Sequence, residues 1–172
     1  MNTLLEIESA LILSRLPGVG AATFKELLQK HVTPSVALQH FIEHKTNKKT
    51  PLNIQSAISF LDANSEVKMF WPFHKSYPKS LSDITEPPPV LFIKGQEKIL
   101  KSKKLKVAIV GARKASPAGL AYTKEIVKRY CQEGAVIVSG LAEGIDTCAH
   151  QVALETGSET IAVMATGIDV CF

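Results

Sequence analysis

The second half of the sequence contains the stretch Val136-Ile-Val-Ser-Gly-Leu-Ala-Glu-Gly-Ile-Asp146, in which a short run of β-branched residues ends in a glycine turn. Two flanking stretches have the same form, Val107-Ala-Ile-Val-Gly-Ala-Arg113 and Thr160-Ile-Ala-Val-Met-Ala-Thr-Gly-Ile-Asp169. Runs of this kind are typical of parallel strands buried on both faces. Glycine at the carboxyl end of a strand allows backbone or phosphate to approach closely. The pattern therefore predicts a crevice for a polyanion, formed by the turns that follow the strands.

Segments of helical character separate these strands, at about 117–132 and 145–156. Strands that alternate with helices favour right-handed βαβ crossovers and a parallel sheet. A further strand is predicted at 90–94, followed by a short helix or turn at 96–101. The predicted fold class is therefore α/β, with a Rossmann-like parallel sheet that begins at about residue 106.

The first part of the chain is predicted to be a small helical bundle. Apolar residues recur near a 3.6-residue period from Leu4 to Leu16 and from Phe24 to Leu28, and Pro17-Gly-Val-Gly20 interrupts them. Two more helices and the polar link between them are predicted at 34–43, 54–61 and 44–50.

The segment after the helices is rich in proline and aromatic residues, and proline disfavours both a helix and a central strand. It is predicted to run extended over the surface of its neighbour, anchored by Trp71, Phe73 and Tyr77. The sequence thus predicts three parts: a helical domain at 1–62, an extended connector with the first strand at 63–105, and a partial Rossmann-like domain at 106–172.

The net charge is only +4, but it is unevenly distributed. Eleven basic residues lie between Lys94 and Arg129 against two acidic ones, whereas the chain after Arg129 has six acidic residues and no basic one. A basic stretch that leads into the first glycine turn indicates an anionic partner. No window approaches the roughly 20 apolar residues of a membrane span, and residues 1–14 lack a basic signal-peptide region, so we expect a cytoplasmic protein with no membrane partner.

The three cysteines, Cys131, Cys148 and Cys171, are far apart and lack metal-type spacing. Such cysteines are typical of reduced thiols in a cytoplasmic protein. The sequence therefore predicts neither a disulfide nor a metal site.

The first turn reads Gly111-Ala-Arg-Lys-Ala-Ser116-Pro-Ala-Gly119. It has neither the Gly-x-Gly-x-x-Gly spacing of dinucleotide sites nor the Gly-Lys-Ser of nucleoside triphosphatases, so no cofactor is predicted. Ser116 is expected to cap the next helix with proline at its first position, which presents a positive dipole end to an anion. Arg113 adds a planar fork that matches phosphate. The predicted phosphate contacts here are Gly111, Arg113, Lys114 and Ser116.

The second turn repeats this arrangement, and its predicted phosphate contacts are Ser139, Gly140 and Gly144. Asp146 and His150 are four residues apart and share one helix face. A catalytic interpretation would orient this pair toward Ser139, but the serine lacks the Gly-x-Ser-x-Gly elbow of hydrolases. We expect the pair to be structural, and no catalytic residue is predicted.

A separate motif lies at Leu16-Pro-Gly-Val-Gly20, which resembles the helix-hairpin-helix signature of DNA-binding modules. Two glycines let the turn close tightly, so that amides of the next helix can point at a backbone phosphate. Gly18, Gly20 and Lys25 are the candidate contacts. The alternative, a glycine turn that only joins two core helices, fits the same residues.

Several motifs in order resemble the DNA-processing protein A family (DprA, also called Smf). They are Tyr77-Pro78 with Leu81, Pro88-Pro-Val-Leu91, Lys94-Gly95, the stretch from Val107 to Arg113 with Ser116 and Gly119, Val138-Ser-Gly-Leu-Ala142, Gly144-Ile-Asp146, Ala149-His150, Thr160-Ile-Ala-Val163, and Gly167-Ile-Asp169. They extend over about 95 residues. The helical part is similar to the sterile-alpha-motif-like (SAM-like) domain that many members carry.

This resemblance implies an extended Rossmann fold that binds single-stranded DNA without sequence preference. It also implies a homodimer that loads the RecA recombinase during natural transformation, without catalysis. The family's Gly-Ser-Arg turn falls on Gly111-Ala-Arg113, so Arg113 inherits the phosphate contact while Ala112 replaces a serine. Glu143 stands where the family often has arginine, which weakens the local positive field.

The family pattern continues beyond Gly167-Ile-Asp169, through further strands, so the sequence is interpreted as a truncated member. The dimer and recombinase contacts are expected mainly in the missing portion. One alternative is a nucleotide-processing enzyme of the phosphoribohydrolases that resemble lysine decarboxylases, but their Pro-Gly-Gly-x-Gly-Thr turn does not occur here. Another is an interaction remnant, in which the helical domain alone binds a partner.

Overall fold

The computed structural model describes residues 4–45 and 54–170. Its packing divides the chain into two compact units, with the boundary between Lys101 and Ser102. From position 46 onward the predicted polar link at 44–50 lies outside the described residues, as does Cys171. The three-part division that the sequence suggests stays a prediction.

Four helices begin the first unit: α1 (Leu4–Arg15), α2 (Ala21–His31), α3 (Pro34–Lys45) and α4 (Gln55–Ala63). Their core is built from side chains that are almost fully buried, Leu11, Leu13, Phe24 and Leu28. The predicted helical periodicity is therefore confirmed in this region. At the start of α1, Leu4 and Leu5 are helical as predicted, but their side chains are exposed.

The turn between α1 and α2 is as tight as its glycines predict. Gly18 has a φ of +84°, and the amide of Val19 donates to the carbonyl of Leu16 at 3.0 Å. Gly20 caps α2, and its carbonyl accepts from the amide of Phe24 at 2.9 Å. Only glycine adopts the left-handed backbone of position 18 at low cost, so this residue sets the direction in which α2 leaves the turn.

The connector contains an antiparallel pair of strands, β1 (Val67–Phe70) and β2 (Leu91–Lys94). Two short helices accompany it, α5 (Lys79–Ser82) and α6 (Lys98–Lys101). The sequence predicts β2 but not β1, whose pairing partner lies more than twenty residues away. Met69 and Trp71 belong to the same buried cluster as the helical core. The strand pair is therefore packed against the helices.

Of the three predicted aromatic anchors, two are buried. Trp71 and Tyr77 are each 6% exposed. The Tyr77 hydroxyl donates to the carbonyl of Pro88 at 2.9 Å, and burial raises the pKa of Tyr77 to about 12. The prediction is wrong for Phe73, whose side chain is 50% exposed. Phe73 also differs in its backbone, which has a φ of +70°.

The second unit alternates strands and helices: β3 (Lys106–Ala108), α7 (Pro117–Gln132), β4 (Val136–Ser139), α8 (Ile145–Glu155) and β5 (Thr160–Ala162). The strands form a parallel sheet in the order β3-β4-β5. Val107 pairs with Ile137, and Val138 pairs with Ile161. The predicted α/β fold and its parallel sheet are confirmed.

Both crossover helices pack on the same face of this sheet. The strand order advances in one direction, so two right-handed crossovers place their helices on one side. Val127, Ile137 and Ala149 form the core there, and the free thiols of Cys131 and Cys148 are buried in the unit. In the outer strands, by contrast, the first two residues are only partly buried and the last, Ala108 in β3 and Ala162 in β5, is exposed. Burial on both faces therefore holds for β4 but is wrong for the outer strands.

A carboxylate from α1 stabilises the start of α3. Glu6 accepts hydrogen bonds from the amide and the hydroxyl of Ser35, at 3.0 and 2.6 Å. Ser35 lies in the first turn of α3, where a negative charge is favoured by the helix dipole. The contact ties the first helix to the third.

We expect Glu6→Ala to lower the free energy of unfolding of the first unit by about 2 kcal/mol, since hydrogen bonds to a charged group are lost. Trp71, the single tryptophan, lies in this unit and reports its unfolding in urea by fluorescence. The exposed Asp62 provides the control Asp62→Ala, for which we expect no change. Equal effects of the two substitutions would contradict the assignment.

Candidate nucleic-acid interface

The turns after β3 and β4 fit into each other, and glycines make this possible. A Cβ on Gly144, which has a φ of +83°, would overlap the carbonyl oxygens of Ala112 and Arg113. A Cβ on Gly111 would lie 2.6 Å from Cγ1 of Ile145. The Ile145 amide donates to the Ala112 carbonyl at 3.2 Å. The backbone of Arg113 is thereby held against the second turn.

Two predicted contacts in the second turn have partners inside the protein. The hydroxyl of Ser139 is buried and donates to the carbonyl of Ile109 at 2.7 Å. The amide of Gly140 donates to Oδ2 of Asp146 at 3.0 Å. These bonds join the ends of β3 and β4 to the first turn of α8. Both groups act within the protein, as supports of the turn.

The start of α7 has the predicted cap. The hydroxyl of Ser116 accepts from the amide of Gly119 at 3.1 Å, and Pro117 is the first helical residue. The carbonyl of Ser116 accepts from the amide of Leu120 at 3.0 Å. The prediction of this helix start is confirmed. The positive end of the helix dipole therefore lies beside the first turn.

The side chains of Arg113 and Lys114 are exposed on this turn. In the described part of the chain, neither has an acidic group within ion-pair distance. Other basic residues of the same stretch are paired, Lys94 with Glu66 at 3.4 Å and Lys104 with Glu159 at 2.9 Å. The unneutralised positive charge at the carboxyl edge of the sheet is therefore found at the first turn, next to the start of α7.

The third turn, at Gly167-Ile-Asp169, differs from the first two. A Cβ on Gly167 would overlap the carboxylate of Asp169, and the Val170 amide donates to the Gly167 carbonyl at 3.1 Å. Asp169 is exposed and brings negative charge. An anion is accordingly favoured at the first turn rather than at the third.

Asp146 and His150 have different hydrogen-bond partners. Asp146 accepts from Gly140, whereas Nδ1 of His150 lies 2.7 Å from the hydroxyl oxygen of Thr160. That hydroxyl donates its proton to the carbonyl of Ile137 at 3.0 Å, so Nδ1 must donate to it. The histidine thus joins α8 to β5 and β4. Burial lowers the pKa of His150, while the charge of Asp146 opposes this shift.

The second predicted DNA contact lies in the first unit, at the turn between α1 and α2. A Cβ on Gly18 or Gly20 would meet no described atom within 4 Å, so this turn is open. Nζ of Lys25 donates to the carbonyl of Ile84 at 2.8 Å and thereby links α2 to the connector. The helix-hairpin-helix and SAM-like interpretations stay predictions.

A search of residues 4–45 and 54–170 finds no three His, Cys, Asp or Glu side chains placed to hold a metal ion. Among the described helices, none is both long and apolar enough to cross a membrane. The site in the second unit is therefore described by its glycines, its two exposed cations and one helix start.

The family model of DNA recombination-mediator protein A matches residues 68–172, which include both interlocking turns. The chain belongs to this family. It is 47% identical over 96 residues to DNA processing protein DprA of Streptococcus pneumoniae, an alignment that covers 56% of this chain and 33% of the relative. It is also 32% identical over 147 residues to protein Smf of Escherichia coli, covering 78% of this chain and 39% of that protein.

The solved X-ray structure of DNA processing protein A from Streptococcus pneumoniae has the same fold. It superposes with a TM-score of 0.69 at 28% identity and covers 100% of this chain and 61% of that one. The similarity to DprA of Bacillus subtilis, 43% over 93 residues, covers 54% of this chain and 31% of the relative. The chain thus spans roughly a third of the length of these curated relatives.

The packing at Gly144 gives a stability prediction for this family member. Gly134 has a similar φ of +77°, but a Cβ there would meet no described atom within 4 Å. Gly134→Ala should therefore cost only the backbone strain, about 1 kcal/mol. Gly144→Ala should cost several kcal/mol more or prevent folding of the second unit, because its Cβ overlaps backbone oxygens. Thermal unfolding followed by far-UV circular dichroism measures both, and equal losses would refute the interlocked turns.

The buried His150 gives a pH prediction. The pKa of His150 in the folded protein is below the ordinary value of 6.5. Below pH 6.5 the unfolded chain therefore binds a proton at this residue more readily than the folded protein does. The contribution of His150 to the free energy of unfolding should be fully present above pH 6.5 and should decrease as the pH falls below that value. His74 and His40 have lowered pKa values as well, so the test compares wild type with His150→Asn. Urea midpoints between pH 7.5 and 5.5 should fall less in the variant; parallel curves would count against this role.

Proposed function

We propose that this chain binds single-stranded DNA through its phosphates, without sequence preference, and serves DNA recombination as a binder rather than as an enzyme. The observation that carries the proposal is the pair of exposed cations, Arg113 and Lys114, between the end of β3 and the start of α7. Family membership agrees with a role in DNA recombination.

The proposed contact uses the guanidinium of Arg113 as a fork on one phosphate, with Lys114 as a second charge. The start of α7, capped by Ser116, adds the positive end of a helix dipole. Gly111 and Gly144 let the turns pack, while Ser139 and Gly140 hold the second turn in place through the bonds described above. The backbone of Arg113 is thus fixed before the ligand arrives, which reduces the entropic cost of binding.

A site that contacts phosphates carries no direct sequence information. Binding should therefore be similar for oligonucleotides of different base composition and should weaken steeply with salt as counterions are released. We further propose, on the family resemblance, that the protein acts in the cytoplasm, assists loading of RecA and forms a homodimer. These activities are proposed for the whole protein, since the aligned portion is 33% of the length of one curated relative and 39% of the other.

The test is fluorescence anisotropy with a labelled oligo-dT, over a series of salt concentrations. Arg113→Ala should weaken binding at low salt by about tenfold or more, as expected for loss of a charge-assisted bidentate contact. The slope of log K against log salt should also become shallower by about one, because one fewer phosphate is neutralised.

Arg129→Ala is the matched control, since Arg129 is also exposed but lies in the last turn of α7, at its opposite end. It should retain nearly wild-type affinity. If both variants lose affinity equally, the binding is a general charge effect, and the site at the first turn is refuted.

A further inference from the structure

Phe73 occupies a backbone position that phenylalanine does not favour. The amide of His74 donates to the carbonyl of Trp71 at 3.0 Å, which closes a four-residue turn with Pro72 second and Phe73 third. Proline at the second position and a φ of +70° at the third are features of a type II turn. Glycine or asparagine normally occupies that third position. A phenylalanine there costs about 1–2 kcal/mol of backbone strain.

The side chain gains only partial burial in this position. The side chain of Phe73 is 50% exposed, whereas its neighbour Trp71 is 6% exposed. An aromatic ring contributes to stability by leaving water, and half of this ring remains in it. The strain and the exposure together point to a role outside folding, as strained residues often have at functional sites.

The residue that follows Phe73 is held in place by several contacts. The ring of His74 stacks on Phe70 with centroids 4.9 Å apart and an interplanar angle of 8°. Nδ1 of His74 accepts a hydrogen bond from the amide of Ser76 at 3.1 Å, and the carbonyl of His74 accepts one from the amide of Tyr77 at 2.9 Å. The backbone next to Phe73 is therefore constrained, which reduces the entropic cost of presenting this residue to a ligand.

The charge near this turn is positive. Lys75 is exposed and follows directly, and Nζ of Lys101 lies 3.4 Å from the hydroxyl of Ser76. Both lysines lower the pKa of His74, although burial is the larger cause. The opposing acid is Glu97, which forms an ion pair with Lys68 at 3.4 Å. An exposed ring beside uncompensated lysines suits a ligand that is both flat and anionic.

We propose that Phe73 is a stacking platform for a base of single-stranded nucleic acid, with Lys75 beside the adjacent phosphate. This inference rests on the proposed function and adds a base contact in the first unit. Stacking on an aromatic ring is tolerant of sequence, because every base has a π-face. A protein partner is the competing occupant, and the positive charge around the ring favours the nucleic acid.

The test replaces Phe73 by asparagine, which suits the turn, so that Phe73→Asn folds with equal or higher stability. Affinity for oligo-dT should fall about tenfold, the typical loss of one stacked base. Phe73→Trp keeps an aromatic ring at this position and should bind oligo-dT with the affinity of the wild type. The diagnostic comparison uses an oligonucleotide of the same length with abasic sites: wild type should bind it more weakly than oligo-dT, whereas Phe73→Asn should bind the two alike.

Val32 provides a matched control, because it also has a positive φ, +67°, and is 78% exposed. Val32→Asn should leave binding of both oligonucleotides unchanged. If Phe73→Asn binds like wild type while Arg113→Ala is impaired, the stacking inference is refuted, a protein partner becomes the better explanation, and the proposed function stands. If wild type itself does not bind oligo-dT, the proposed function fails and the inference fails with it.

Discussion

The contact between Gly144 and the carbonyl oxygens of Ala112 and Arg113 is the constraint on which the second unit depends. Two turns from neighbouring strands can touch there only because one of them has no side chain and adopts a left-handed backbone. This contact brings the first residues of α8 beneath the turn that leads into α7. The same packing that closes the core therefore also determines where the backbone of Arg113 lies.

The order of the strands gives that contact its functional setting. Parallel strands direct their carboxyl ends to one edge, and the turns that follow β3 and β4 meet at that edge. Buried polar groups hold the arrangement: Ser139 joins β4 to β3, and His150 joins α8 to β5 through Thr160. These groups resemble catalytic residues in the sequence, yet their hydrogen bonds are all directed inward. This edge presents positive charge at the first turn, through Arg113 and Lys114, and negative charge at the second and third turns, through Glu143 and Asp169.

The sequence allows much of this to be predicted, because the signals are local. Strand and helix alternation, the Ser116-Pro117 helix start and the glycine turn at Gly18 depend on residues that are neighbours in the chain. Other features depend on distant partners. Strand β1 exists only because β2 pairs with it, and Lys25 finds the carbonyl of Ile84 across 59 positions. The turn at Phe73 is local, but the sequence does not predict it, because phenylalanine rarely adopts the positive φ found there.

The contact at Gly144 involves backbone atoms of the first turn, and this affects how the site can change in evolution. Gly144 packs against the backbone oxygens of Ala112 and Arg113, while both of these residues are exposed to solvent. Substitutions at these two positions therefore alter what the surface offers to a ligand while the architecture beneath stays intact. Ligand preference and folding are encoded in different atoms of the same two residues, so selection can act on one without disturbing the other.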